Sequence, residues 1–275
     1  MSEADETGRD WLAAEPFTLV LGAGFFGFFA HAGLVAALDR AGLRPRRIVG
    51  VSAGALAGGL VAAGLGPEAL VRLLPSIEKR DFWDPGLPLG GLLRGERFGA
   101  LLRRSLDPLG VSRVEDCPTP LTVVAARPFT RRPVPIDRGP LVTAVRASCA
   151  VPLLFRPVRH GGRWLVDGGI SDRAGLSALR PDERAFVHDL PSRAARTRWR
   201  RMPAPAAETS TRRVLRIETL PAVSPDRLAL GPVALEAARR TTEAWLASPA
   251  GGLRGGERGR GRSSPDSANG GRSPG

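Results

Sequence analysis

The chain has 275 residues, 43% of them hydrophobic, enough to bury one sizeable core, so a single α/β domain with a tail is the expected count. The formal net charge is +13, carried almost wholly by arginine, because Lys79 is the single lysine. A basic surface attracts nucleic acid or anionic lipid alike, but with tyrosine absent and no recognition motif, nucleic acid is set aside as a partner. Cys117 and Cys149 are too few and too far apart for a disulfide framework or a zinc site and read as single buried thiols.

In chain order, residues 1–16 read as a polar leader that becomes ordered near Pro16. Met1 to Glu15 is acidic and lacks the basic-then-apolar order of a signal peptide, which makes the cytoplasm the expected location. Phe17 to Leu21 is a continuous apolar run bounded by glycine, the pattern of a strand buried on both faces of a parallel sheet. Phe28 to Ala41 reads as a helix stopped by Gly42, and Arg46 to Val51 as the second strand. Strand, crossover helix and strand predict a right-handed βαβ unit, with the turns after both strands at one carboxyl edge. Phe17 to Leu38 carries no charge and is long enough to span a bilayer. Its four glycines would each cost about 1 kcal/mol inside a helix, so strand, loop and buried helix is the favoured division.

Ala53 to Ala63 is a helix of mostly small residues, suited to close approach to the sheet. Gly66-Pro67 opens another, with proline tolerated in its first turn. Residues 81–95 are rich in turns and exposed apolar groups, an ordinary loop or a lid over an acyl-chain entrance. Phe98 to Leu106 is a short helix, Leu121 to Ala126 a strand with Val134 to Ile136 beside it, and Pro140 to Ala150 a helix ended by Pro152. Trp164 to Val166 is a strand whose end presents Asp167. Ala185 to Val187 and Val214 to Ile217 are later strands, and Pro225 to Leu246 is a last helix. The expected domain is 17–246, with its motifs in 17–180, followed by a disordered Gly/Arg/Ser/Pro tail at 247–275.

Two turns carry chemistry. Gly50-Val51-Ser52-Ala53-Gly54 is G-x-S-x-G, a nucleophile elbow in which a strand ends, the chain turns sharply and a serine is left exposed above a helix. About 30 residues earlier, Gly22-Ala23-Gly24-Phe25-Phe26-Gly27 leaves backbone N–H groups pointing outward at a helix N-terminus. Such groups bind anions, and serine attack on an ester carbonyl creates one. The same glycine spacing occurs in dinucleotide-binding turns, but those need an acidic residue ending the second strand, where this chain has Ser52. Nucleophile and oxyanion site together point to an acyl hydrolase.

At these residues the chain resembles the patatin-like phospholipases, whose pattern is a G-G-G-x-[KR]-G loop, a G-x-S-x-G elbow and a D-G-[GA] triplet. Gly22 to Gly27, Gly50 to Gly54 and Asp167-Gly168-Gly169 match in order, and Ala147-Ser148-Cys149-Ala150-Val151-Pro152 is similar to the family's A-S-x-x-x-P segment. Ala23 replaces the middle glycine, and Phe26 stands where the family usually has Lys or Arg. The resemblance implies a three-layer α/β/α fold with a mainly parallel central sheet. It also implies an acyl-lipid substrate, no cofactor and no metal, Ser52 as nucleophile and Asp167 as the proton acceptor in a Ser-Asp dyad. Backbone N–H groups of Gly24 and Phe25, with Ala23, would hold the oxyanion. Two rivals remain at this point: a Ser-Asp-His triad using His188, and a non-catalytic lipid-binding relative. Eight arginines face one acid, Glu208, between Leu190 and Arg216, and a basic patch of that kind suits peripheral contact with an anionic membrane.

Overall fold

A computed structural model describes residues 6–87, 90–191 and 206–249. The chain runs through α1 (Gly8–Ala14), β1 (Thr18–Leu21), α2 (Phe28–Arg40), β2 (Arg47–Val51), α3 (Ala53–Ala62), α4 (Pro67–Leu73), β3 (Gly91–Leu93) and α5 (Glu96–Leu106). It continues through β4 (Leu121–Ala126), β5 (Pro133–Ile136), α6 (Leu141–Ser148), β6 (Leu153–Phe155), β7 (Val158–His160), β8 (Arg163–Asp167), β9 (Ala185–Asp189), β10 (Arg212–Arg216) and α7 (Gly231–Ala247).

The main sheet has the order β10-β9-β1-β2-β4-β8-β7, with β5 also paired to β4. The five strands from β10 to β4 are parallel neighbours, while β4–β8, β7–β8 and β4–β5 are antiparallel pairings. A separate two-stranded sheet pairs β3 with β6. β1 is buried on both faces as its apolar run predicts: Leu19 and Leu21 join one core cluster and Val20 the other.

The two faces are covered unequally. Every α-helix contributes its buried apolar residues to the first cluster, with α2 and α7 packed along each other. Among the described residues, the second face is covered by Ala174, Ala206 and the short 3₁₀ turn Leu176–Ala178, a thinner layer than α/β/α suggests.

Register places the two turns. Leu21 pairs with Gly50, and Val51 with Val124, so β1 and β2 end within a residue of each other while β4 runs on to Ala126. β8 runs antiparallel along the same side of β4 as β2, just beyond the end of β2, with Asp167 opposite Ala125, because β5 takes the other side from Val123 to Ala126. Ser52 and Asp167 therefore meet on one side of β4, where the end of β2 and the end of β8 come together.

The leader differs from expectation. Residues 8–14 form α1, held by a capping box in which Thr7 and Asp10 satisfy each other's backbone N–H. Trp11 and Leu12 are buried, Gly8 N–H donates to the Ser248 carbonyl near the end of α7, and the Arg184 guanidinium lies 3.6 Å over the Trp11 ring. Apolar burial of one tryptophan and one leucine is enough to fix so short a helix to its neighbour. The last helix also starts later than predicted, at Gly231, because Pro225 to Leu230 forms turns. No helix among the described residues is long and apolar enough to cross a membrane.

Candidate active site

Ser52 occupies a strained turn. Its φ of 53° and ψ of −117° lie outside the usual regions for an L residue, at a cost of order 1–3 kcal/mol that the surroundings must sustain. Close packing does so: a Cβ on Gly54 would fall 1.9 Å from the Leu21 carbonyl oxygen, and one on Gly50 would fall 2.6 Å from Ala55 Cα. Only glycines let α3 press against β1 and β2 closely enough to hold the elbow. The Ser52 N–H donates to Ser148 Oγ at 2.8 Å, and Ser148 donates onward to the Val124 carbonyl at 2.6 Å. Ser148 thus ties the elbow to β4. The sequence places it in a recognisable segment, but its partners come from tertiary structure.

The Ser52 hydroxyl donates to Asp167 Oδ2 at 2.7 Å, and the Gly169 N–H donates to Oδ1 at 2.7 Å. Asp167 is 5% exposed. Burial pushes its pKa up to about 6, against the Ser52 hydroxyl, the Gly169 amide and the Arg173 charge, which all favour the carboxylate. Gly168 is required beside it, because a Cβ there would lie 2.2 Å from the Val124 carbonyl oxygen.

Of the amides expected to hold an anion, Ala23 drops out: its N–H donates to the Arg173 carbonyl at 2.7 Å. Gly22 N–H is taken by the His188 carbonyl at 3.1 Å and Gly27 N–H by the Gly24 carbonyl at 3.0 Å. Gly24 and Phe25 N–H make no hydrogen bond among the described residues. Arg173, which no motif pointed to, also donates from Nη2 to the Ala23 and Leu190 carbonyls at 3.3 and 2.7 Å. It grips the loop from behind with both backbone and side chain.

A cleft with about 720 Å³ of empty space opens above Ser52, walled by Gly24, Phe26, Phe28, Leu56 and Phe98, with Cys149 beside the serine. Segment 81–95 contributes Phe82, Trp83 and Leu93 to its walls. Phe26 meets Phe82 edge-on and Phe82 meets Phe98 at a tilt, with ring centroids 5.3 and 5.4 Å apart. Such a lining suits hydrocarbon. Cys149 donates its thiol to the Ser52 carbonyl at 3.2 Å, and burial with the Asp167 charge keeps it a thiol.

His188 is not at this site. It is fully buried, with Nδ1 at 2.9 Å from Nδ1 of His31, whose Nε2 meets the Gly22 carbonyl at 2.8 Å. A carbonyl only accepts, so His31 carries its proton on Nε2, and His188 donates from Nδ1. Burial pushes the His31 pKa down to about 4 and His188 lower than its usual range. The Asp167 carboxylate is engaged by Ser52 and Gly169 instead. Among the described residues no group of three or more His, Cys, Asp or Glu is arranged to hold a metal ion.

Much of the arginine-rich segment, 192–205, and of the tail, 250–275, lies outside the described residues. The three described arginines of the segment are engaged internally: Arg216 pairs with Asp189, Arg213 lies 5.0 Å over the Trp11 ring, and Arg212 donates to the Ala207 carbonyl.

Comparison with known proteins fits this geometry. Residues 19–180 match the family model described as patatin-like phospholipase. An uncharacterized NTE family protein of Mycobacterium tuberculosis is 35% identical over 164 residues, 58% of this chain and 44% of its own length. Lysophospholipase NTE1 of Meyerozyma guilliermondii is 27% identical over 183 residues, 64% of this chain and 12% of its own length. The chain therefore spans less than half the length of either relative. Among solved structures, VipD from Legionella pneumophila superposes with a TM-score of 0.60 at 14% identity, covering 84% of this chain and 67% of VipD. The type III effector protein ExoU follows at 0.50 and 16%, covering 84% and 52%; both likenesses concern the fold alone. On the family match, which covers more than half of its residues, this chain belongs to the patatin-like phospholipases.

Proposed function

We propose that the protein is a serine-dependent lipid acyl hydrolase that cleaves carboxylic esters of phospholipids or other acyl lipids through a Ser52-Asp167 dyad, within a domain spanning 17–246. The observation that carries this reading is the 2.7 Å hydrogen bond from Ser52 Oγ to Asp167 Oδ2 beside an apolar cleft.

Ser52 Oγ attacks the ester carbonyl carbon while its proton passes to Asp167. The carbonyl oxygen takes up the negative charge and is held by the Gly24 and Phe25 N–H groups; loss of one such donor typically costs about 3–4 kcal/mol of barrier. Collapse of the tetrahedral adduct breaks the ester C–O bond, and Asp167 returns the proton to the leaving oxygen, releasing an alcohol. Water then attacks the acyl-Ser52 ester, giving its proton to Asp167. Release of the carboxylic acid returns that proton to Ser52 Oγ. A carboxyl with pKa near 6 suits both steps, because it is ionised at neutral pH yet basic enough to accept.

Turnover of a panel of short- and long-chain acyl esters, compared with Ser52→Ala, tests the reading. Absence of serine-dependent hydrolysis across the panel would leave the protein a non-catalytic lipid binder.

A further inference from the structure

The strands β3 and β6 stand at the rim of the cleft and face two ways. They pair in parallel, Gly91 with Leu153 and Leu93 with Phe155. Leu93 and Phe155 line the cleft, whereas Leu92 is 59% exposed and Leu153 82%. Side-chain alternation along a strand accounts for Leu92, opposite in sense to Leu93. It does not account for Leu153, which is two residues from Phe155 and would share its side. Leu153 has a φ of 71°, the left-handed region that disfavours leucine, and its side chain stands in water. Backbone strain that leaves an apolar side chain exposed gains nothing within the folded chain, and such strain gathers where ligands are met. Trp83, part of the same rim, is 52% exposed.

Charge is placed beside these leucines. Arg94 follows Leu93 and Arg156 follows Phe155, and the two guanidiniums converge on Gly86. A Cβ there would lie 2.5 Å from Arg94 Nε and 3.0 Å from Arg156 Nη2. Among the described residues neither arginine pairs with a carboxylate. The nearby acids are engaged elsewhere: Asp84 accepts the backbone N–H groups of Gly95, Glu96 and Arg97, and Glu96 pairs with Arg146. Two adjoining cations without an acid, next to exposed leucines, are complementary to a surface that is anionic outside and apolar beneath.

We propose that the β3–β6 ribbon docks the protein on an anionic phospholipid bilayer. Leu92 and Leu153 enter the acyl region, Arg94 and Arg156 hold lipid phosphates, and the open cleft faces the layer. One side of the ribbon then meets the bilayer while the other walls the cleft, so an acyl chain passes towards Ser52 along continuous apolar surface. This deepens the hydrolase reading, but docking itself does not depend on turnover.

The test is sedimentation of the full chain carrying Ser52→Ala, which leaves vesicles intact, with phosphatidylcholine vesicles that contain or lack phosphatidylglycerol. Binding should rise with phosphatidylglycerol and fall with added salt. Adding Leu92→Ser with Leu153→Asn should weaken binding roughly tenfold or more, since two leucines lose their burial. Asparagine tolerates a positive φ, so an unchanged melting temperature should verify the fold. Arg94→Gln with Arg156→Gln should abolish the preference for phosphatidylglycerol. In the chain with Ser52 restored, the leucine variants should hydrolyse a water-soluble short-chain ester as before and vesicle lipid more slowly. If no ester is cleaved, the hydrolase reading falls while the sedimentation result stands. Docking through the ribbon is overturned if the leucine variants sediment like their parent. It is equally overturned if they turn a dimer into a monomer with vesicle binding unaltered, because a second copy then covers the ribbon.

Discussion

Ser52 Oγ and Asp167 Oδ2, 115 residues apart in sequence, share a direct 2.7 Å hydrogen bond. β4 makes that possible: β2 pairs with it in parallel up to Val124 and β8 antiparallel from Ala125 on the same side, so Ser52, which follows β2, meets Asp167, which ends β8. If the pair acts as a unit, Ser52→Ala and Asp167→Ala should each lower kcat by roughly 10⁴-fold or more, with the double variant little worse. Near-additive losses in single and double variants would mean the groups work independently.

The buried Asp167 carboxyl, with its pKa near 6, ties activity to pH. The ionised form accepts the proton, so kcat/KM should rise with pH and level off above about 6. Stability should move the other way. A carboxyl whose folded pKa exceeds its unfolded value stabilises the fold while protonated, and that contribution is lost as pH rises from about 3.8 through about 6. Asp167→Asn should therefore raise stability above neutral pH by roughly 1–3 kcal/mol and change it little at pH 4. Thermal melts at both pH values decide it.

His188 pairs with His31 beneath the loop at Gly22 and makes no hydrogen bond to Asp167 among the described residues. His188→Ala should leave kcat within a few-fold in protein that remains folded, while costing stability, because a fully buried ring is removed and His31 Nδ1 loses its donor. A kcat loss of about 10³-fold or more would restore a triad. The pair also predicts acid sensitivity. His31 has a folded pKa near 4, below its ordinary 6.5, so stability should fall as pH drops from about 6.5 towards 4. Denaturant melts across that window should show the decline in the parent and a flatter profile when both histidines are replaced by leucine.

The parts of this site that were legible in the sequence are those set by local backbone demands. Gly50, Gly54 and Gly168 are fixed by close approaches of under 3 Å, and such positions leave a spaced glycine pattern. The apolar runs of β1 and β2 declare strands buried on both faces. What stayed hidden depends on contacts between distant segments: Ser148 under the elbow, Arg173 behind the loop and the antiparallel arrival of β8. The first helix lay between these cases. Thr7 and Asp10 stand at capping-box spacing, but seven residues with one tryptophan and one leucine show too little periodicity to reveal a helix.

Phe26 joins the wall of the cleft, with its ring centroid 5.0 Å from Phe25, 5.5 Å from Phe28 and 5.3 Å from Phe82. Phe26→Arg should remove part of that wall at a cost of roughly 1–2 kcal/mol in stability, since the ring is only partly buried. It should lower kcat/KM for long-chain esters more than for short ones. Equal losses for all chain lengths would separate Phe26 from acyl selection, and outright unfolding would make it a core residue.

Arg173 offers the last test, because it acts on the loop and on Asp167 at once. Its Nη2 donates to the Ala23 carbonyl, whose peptide unit carries the Gly24 N–H at the opposite end. A cation at the oxygen polarises that unit and strengthens the N–H as a donor. The chain thereby gains, from behind the loop, a positive charge that Phe26 does not supply. Arg173→Met keeps the apolar stem and removes charge and hydrogen bonds, so kcat should fall roughly 10- to 100-fold, the loss expected of a charge-assisted hydrogen bond, with KM little changed. Arg173 also helps to keep Asp167 ionised. Its removal should therefore shift the acidic limb of the rate profile to higher pH, and Arg173→Lys should restore the limb at least partly. A lower rate with the limb unmoved would leave Arg173 as a mechanical strut for the loop, with no electrostatic part in the reaction.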